Sequence, residues 1–109
     1  MQICYPTSNS TCPAQYTVWG TYDTSNPASN GTAVMTNVNN SNDIISAENF
    51  QFRSDGIWIA QFAGLTAGCT YHVDASYVSN GTTIAAPQVT NVLVSDDVVI
   101  PVPPPPEGA

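Results

Sequence analysis

The sequence predicts an all-β fold, an antiparallel β-sandwich of about seven strands, on three observations. No segment of the 109 residues sustains a helical period. Apolar and polar residues alternate over short stretches instead. Asn, Gly, Pro and Ser interrupt these stretches at short, regular spacing, as in sandwiches and barrels. The length suits one domain with one core, assigned to residues 1–100, followed by a proline-rich extension over 101–109.

The elements follow in order. Residues 3–5 open the fold, and residues 15–22 form a strand with Tyr16, Val18, Gly20 and Tyr22 on one face. The 23–31 stretch reads as loop, with Asn26-Pro27 and Asn30-Gly31 as turn signals. Residues 32–38 make the next strand, 39–43 a polar loop, and Ile44-Ile45 a short strand. Residues 50–53 lead through the Ser54-Asp55-Gly56 turn into a hairpin with 57–62. Phe62 as a core residue places Ala60 and Trp58 inward and Ile57, Ile59 and Gln61 on the opposite face. Trp19 faces opposite to Val18 and is the better candidate for an exposed ring. Residues 70–78 form the clearest strand, ended by Ser79-Asn80-Gly81. Residues 88–94 form the last core strand, and 98–100 extend it after Ser95-Asp96-Asp97. The 101–107 run is polyproline-like, either a stiff linker or an arm on a neighbouring subunit.

Charge narrows the function. Only 8% of residues are charged, against roughly 25% in average domains, so neutral Asn, Ser and Thr must carry solubility. Lysine is absent, Arg53 is the one fixed cation, and the net charge is −7. Nucleic acid and anionic membrane need clustered Lys and Arg, so neither is an expected partner. An internal Lys–Asn isopeptide crosslink is excluded. No apolar run approaches the ~20 residues of a membrane-spanning helix.

Cys4, Cys12 and Cys69 leave the redox state open. Cys4 pairs with Cys12 across a short loop, one of them staples the first strand to the region of Cys69, or all three are reduced thiols. No CxxC pair or Cys/His cluster points to zinc.

Leu65-Thr66-Ala67-Gly68-Cys69-Thr70-Tyr71-His72-Val73 resembles the tyrosine corner of fibronectin type III and related immunoglobulin-like sandwiches. Leu65, Gly68, Tyr71 and Val73 match that motif, and Ala67 stands where proline is usual. The resemblance implies that the chain crosses between sheets here, with the tyrosine hydroxyl bonded back to nearby backbone. It implies architecture and no particular function.

Candidate chemistry is sparse. His72, Asp74 and Ser76 share a strand face, but neighbours on one face stand about 7 Å apart, whereas a proton relay needs ~3 Å. They are expected to form a polar solvent face, and no enzymatic activity or cofactor is expected. Asp23, Asp43 and Asp96-Asp97 are loop carboxylates that a calcium site would use, although their spacing matches no EF-hand. Trp19 is the possible glycan platform. The sequons at Asn9, Asn30, Asn39 and Asn80 read as a by-product of composition.

The expected function is structural. A sheet apolar on both sides has a partner on its outer face. Ile57, Ile59, Val98, Val99, Ile100 and the segment Pro103, Pro104, Pro105 and Pro106 are the expected contacts. Met1 followed at once by strand-like sequence, with no basic residue before Arg53, adds the expectation of a virion-surface protein. Such a protein decorates or cements a phage capsid, or belongs to a head or tail appendage. Its partners are protein subunits of the same assembly, as a homo-oligomer or with a capsid or appendage protein. The alternative is an immunoglobulin-like module of a secreted bacterial adhesin or glycoside hydrolase, binding carbohydrate or acting as a spacer.

Overall fold

The computed structural model describes residues 1–95. Among the described residues ten strands, rather than about seven, build two sheets. They are β1 (Gln2–Tyr5), β2 (Thr11–Cys12), β3 (Tyr16–Thr21), β4 (Ser29–Asn37), β5 (Asn40–Ser46), β6 (Glu48–Phe52), β7 (Ile57–Phe62), β8 (Thr70–Ser79), β9 (Thr82–Ala85) and β10 (Val89–Val94). One sheet has the order β1-β3-β7-β6. The other runs β2-β10-β8-β4-β5, with β9 also paired to β8. All pairs are antiparallel except β10 with β2.

The period of two sets the core. Tyr16, Val18, Trp58, Ala60 and Phe62 point inward from one sheet; Ala33, Met35, Tyr71, Val73, Ala75, Val92 and Val94 meet them from the other. Near one end Tyr5, Tyr16 and Phe62 pack edge to face or tilted. Elsewhere Trp58, Phe50, Phe52, Tyr22 and Tyr77 form a connected aromatic cluster, with Phe50 stacked on Trp58 at 5.1 Å.

Three sequence expectations are corrected here, and two involve asparagine. Asn30-Gly31 is not a turn: it is a bulge inside β4, with Asn30 at φ 51° and the register against β8 shifting between Ser29 and Thr32. A side chain on Gly31 would collide with the Phe50 ring, so the bulge also lets that ring approach the strand. Residues 39–43 are not a loop either: β4 turns directly into β5, an edge strand. β5 is polar because it borders the sheet, and polar edges discourage unwanted strand pairing. The third correction is the strand count, raised by β2, by β9 and by the separation of short edge segments.

Among the described residues, all five non-glycine residues with positive φ are asparagines: Asn9, Asn30, Asn49, Asn80 and Asn91. Asparagine tolerates this region better than other side-chain-bearing residues. Asn49 and Asn91 sit where β6 and β10 slip register. Asn80-Gly81 forms the tight β8–β9 turn with positive φ at both residues, as a two-residue hairpin of this hand requires. The asparagine content is therefore partly structural.

Candidate functional site

The candidate site is the outer face of the four-stranded sheet. Because Trp58, Ala60 and Phe62 turn inward, Ile57, Ile59 and Gln61 turn outward. β3 pairs with β7 so that Trp19 lies opposite Ile59 and Thr21 opposite Ile57. β6 sets Gln51 on the other side of Ile59. One row across this face therefore reads Gln51, Ile59, Trp19. Trp19, Ile57 and Ile59 are all half-buried.

Two buried donors stand out on this sheet. The Trp19 indole Nε1 and the Arg53 Nε are buried without a hydrogen-bond partner. A buried unpaired donor costs roughly 1–3 kcal/mol. Arg53 follows Phe52, which pairs with the inward Trp58, so Arg53 falls on the outward row beside Ile57. Its backbone N–H donates to the Ile57 carbonyl at 2.8 Å. Its guanidinium pairs with Asp55, while its carbonyl accepts from the Tyr22 hydroxyl. The Arg53 side chain is only 12% exposed, so the single fixed cation is largely withdrawn from solvent.

The remaining sequence candidates fall elsewhere. Val98, Val99, Ile100, Pro103, Pro104, Pro105 and Pro106 lie outside the described residues, as does Asp96-Asp97. Leu65 and Tyr71 are buried, and Gly68 has φ +88°. The Tyr71 hydroxyl accepts a hydrogen bond from the Thr66 backbone N–H at 3.2 Å. The Gly68 N–H donates to the Val94 carbonyl at 2.8 Å, tying this corner to β10.

His72, Asp74 and Ser76 do point outward together from β8, each held by a different neighbour. His72 Nδ1 accepts from the Asn91 backbone N–H at 3.4 Å. Asp74 accepts from Gln88 Nε2 at 3.2 Å, and Ser76 Oγ meets Thr32 Oγ1 at 3.1 Å. A hollow of about 260 Å³ is lined by Asp74 and Ser76 but not by His72. These bonds hold the three side chains to β10, to the β9–β10 connection and to β4 rather than to one another.

The acidic residues are dispersed. Asp23 accepts from the Ser25 N–H at 2.8 Å, and this hydrogen bond holds its carboxyl below the usual range. Asp43 accepts from Asn37 Nδ2 at 3.2 Å in the β4–β5 hairpin. Among the described residues no three His, Cys, Asp or Glu side chains gather as a metal site would need.

The three cysteines are free thiols. Val94 pairs with Cys12 on one side, and its N–H donates to the Cys69 carbonyl on the other. Cys12 and Cys69 therefore sit on opposite flanks of β10, two strand spacings of about 4.8 Å apart, beyond the Cα separation a disulfide allows. Burial pushes the Cys12 thiol up to about 11. Burial also raises the Tyr16 phenol, whose hydroxyl donates to Met35 Sδ at 3.0 Å.

Sequence reasoning missed Arg53 as part of the candidate face, because its placement depends on the β6–β7 register. It also missed Val38, Ile44 and Leu93, the large apolar side chains left most exposed among the described residues. No protein-family model matches the chain, and no curated protein matches it as a relative.

Proposed function

We propose that this chain is a non-catalytic, immunoglobulin-like structural module that works through protein–protein contacts within an assembly. One observation carries the proposal. β7 is apolar on both faces, so Ile57 and Ile59 join Trp19 on the outer side of a sheet whose inner side already forms the core.

The immunoglobulin-like reading is supported by strand order. β1-β3-β7-β6 against β10-β8-β4 follows the ABED and GFC arrangement of that fold, and the Tyr71 to Thr66 hydrogen bond sits where its tyrosine corner does. The setting we favour is a virion surface, as a capsid decoration or appendage subunit. The lysine-free, acidic composition and the apolar outer face support it.

The test is the mass of the native species by light scattering, with and without Ile59→Asp. The proposal predicts a defined oligomer or a particle-bound chain that Ile59→Asp releases. A monomer unaffected by the substitution rejects it.

The second reading is carbohydrate binding in an adhesin or hydrolase module. It is favoured by Trp19 lying among Thr17, Gln51 and Gln61 on the same outward face. It predicts glycan-array binding that Trp19→Ala abolishes.

A further inference from the structure

The outer face of the six-stranded sheet has a hollow of about 260 Å³ whose walls follow from register and side-chain size. Ala33, Met35, Val73 and Ala75 are buried toward the core, so their neighbours Thr32, Val34, Asp74 and Ser76 turn outward. Val34 pairs with Asp74, Thr32 with Ser76, and Ser76 on its other side with Ala85. Strands β4, β8 and β9 thus set these side chains in adjacent rows, and Thr83 joins the lining from β9. Ser76 and Ala85 are short beside Val34 and Asp74, and the shortfall leaves the depression.

The chemistry of the lining is uneven. Asp74 supplies a carboxylate, Thr32, Ser76 and Thr83 supply hydroxyls, and Val34 and Ala85 supply apolar wall. Asp74 is half-buried and held in place: Gln88 Nε2 donates to its Oδ1 and Oδ2, each at 3.2 Å. Gln88 is neutral, so this contact orients the carboxylate without balancing its charge. The sequence has one fixed side-chain cation, Arg53, and it pairs with Asp55 between β6 and β7 of the other sheet. Thr32 Oγ1 and Ser76 Oγ lie 3.1 Å apart, and whichever of them donates, both oxygens keep lone pairs for a further donor. A carboxylate partly withdrawn from water, beside such acceptors, favours a cation.

The same features select among cations. The Val34 and Ala85 walls suit an aliphatic stem, which a bare ion lacks. Both Asp74 oxygens already accept from Gln88, so the fork of a guanidinium would find its two acceptors shared. An ammonium needs only one carboxylate oxygen and can give its other N–H groups to hydroxyls. The 109 residues contain no lysine, so the occupant does not come from this sequence. The net charge of −7 draws a basic surface toward the chain.

We propose that the hollow between β4, β8 and β9 seats a lysine side chain of a different protein, its ammonium on Asp74 and its stem along Val34 and Ala85. This surface lies on the opposite sheet from Trp19, Ile57 and Ile59, so the inference goes beyond the proposed function and stands or falls separately from it.

The experiment is an amide-resolved NMR titration of the full chain, into the millimolar range, with a blocked glycyl-lysyl-glycine tripeptide and its arginine and norleucine counterparts. The expected result is a saturable shift of the Thr32, Asp74, Ser76 and Ala85 amides with the lysine peptide, a weaker one with arginine and none with norleucine. Asp74→Asn, which keeps the shape and an acceptor for Gln88, is expected to weaken binding about tenfold or more, the worth of a hydrogen bond to a charged group. Ala85→Leu keeps the charge but fills the hollow; Ala85 is exposed, so the fold tolerates the change, and binding is expected to be lost here too. No saturable shift at these amides, equal shifts around Asp23 and Asp55, or binding that survives either substitution would overturn the proposal. Arginine binding as tightly as lysine, or norleucine binding at all, would overturn it as well.

Discussion

The Trp58 indole Nε1 donates a hydrogen bond to the Gln2 carbonyl at 3.1 Å, reaching over Gly20 to do so. Gly20 pairs with Trp58 across β3 and β7, and β1 runs along its other side. A Cβ at this position would strike the Gln2 carbonyl oxygen and sit 2.7 Å from Trp58 Nε1. The largest buried side chain of the core thus depends on the absence of a side chain next to it.

Gly20→Ala is therefore expected to destabilise the fold by about 3 kcal/mol, the upper range for overpacking, because one obstacle is backbone. At Gly31→Ala the nearest atoms are those of the half-buried Phe50 ring, a side chain rather than backbone, so this change is expected to cost less. Urea unfolding midpoints of the two variants check the order. Equal losses would contradict the account.

Tyr71→Phe removes the acceptor of the Thr66 N–H and nothing else of size. A loss of about 1 kcal/mol is expected, the net worth of one such hydrogen bond. Tyr71→Ala should cost about 4 kcal/mol, since a fully buried ring is lost with it. The difference, read from thermal or urea unfolding, separates the corner bond from core packing.

The Cys12 thiol is pushed from 9.0 up to about 11 by burial. Between those values the unfolded chain has released the proton and the folded chain holds it, so stability falls as pH rises through that window. Below pH about 9 this contribution is fully present. Tyr16 and Tyr5, both raised by burial, act with the same sign. Cys12→Ala is expected to lessen the alkaline decline without removing it, as measured by urea midpoints from pH 7 to 11. At neutral pH, Cys12 should react with a thiol reagent only after unfolding, whereas the half-buried Cys4 and Cys69 should react sooner.

Asn91, at φ 57°, is a strained position for any residue with a branched Cβ. Asn91→Val is expected to cost at least about 1–2 kcal/mol, and Asn91→Gly close to nothing. Calorimetric midpoints of the pair test whether this asparagine serves the β10 bulge or merely fills the surface.

The core was legible in the sequence because alternation is a local signal. Tyr16 with Val18 and Gly20, or Trp58 with Ala60 and Phe62, announce an inner face within six residues. The outward placement of Ile57, Ile59 and Trp19 followed by the same rule. The bulges were illegible because Asn-Gly serves both a turn, at Asn80, and a bulge, at Asn30; only pairing across the sheet distinguishes them. The second half of β5 was read as a short strand at Ile44-Ile45, but its polar first half was missed because an edge strand with water on its free border need not alternate. The exposure of Val38, Ile44 and Leu93 carries no sequence signal, since the strand register decides which apolar side chains are left uncovered.

The central claim is that the outer face of the four-stranded sheet is a protein contact surface. Light scattering of the native species, compared with Ile59→Asp, tests it most directly. The account predicts a defined oligomer or particle-bound form that the substitution dissociates while the chain stays folded. A native monomer whose mass Ile59→Asp leaves unchanged would contradict it.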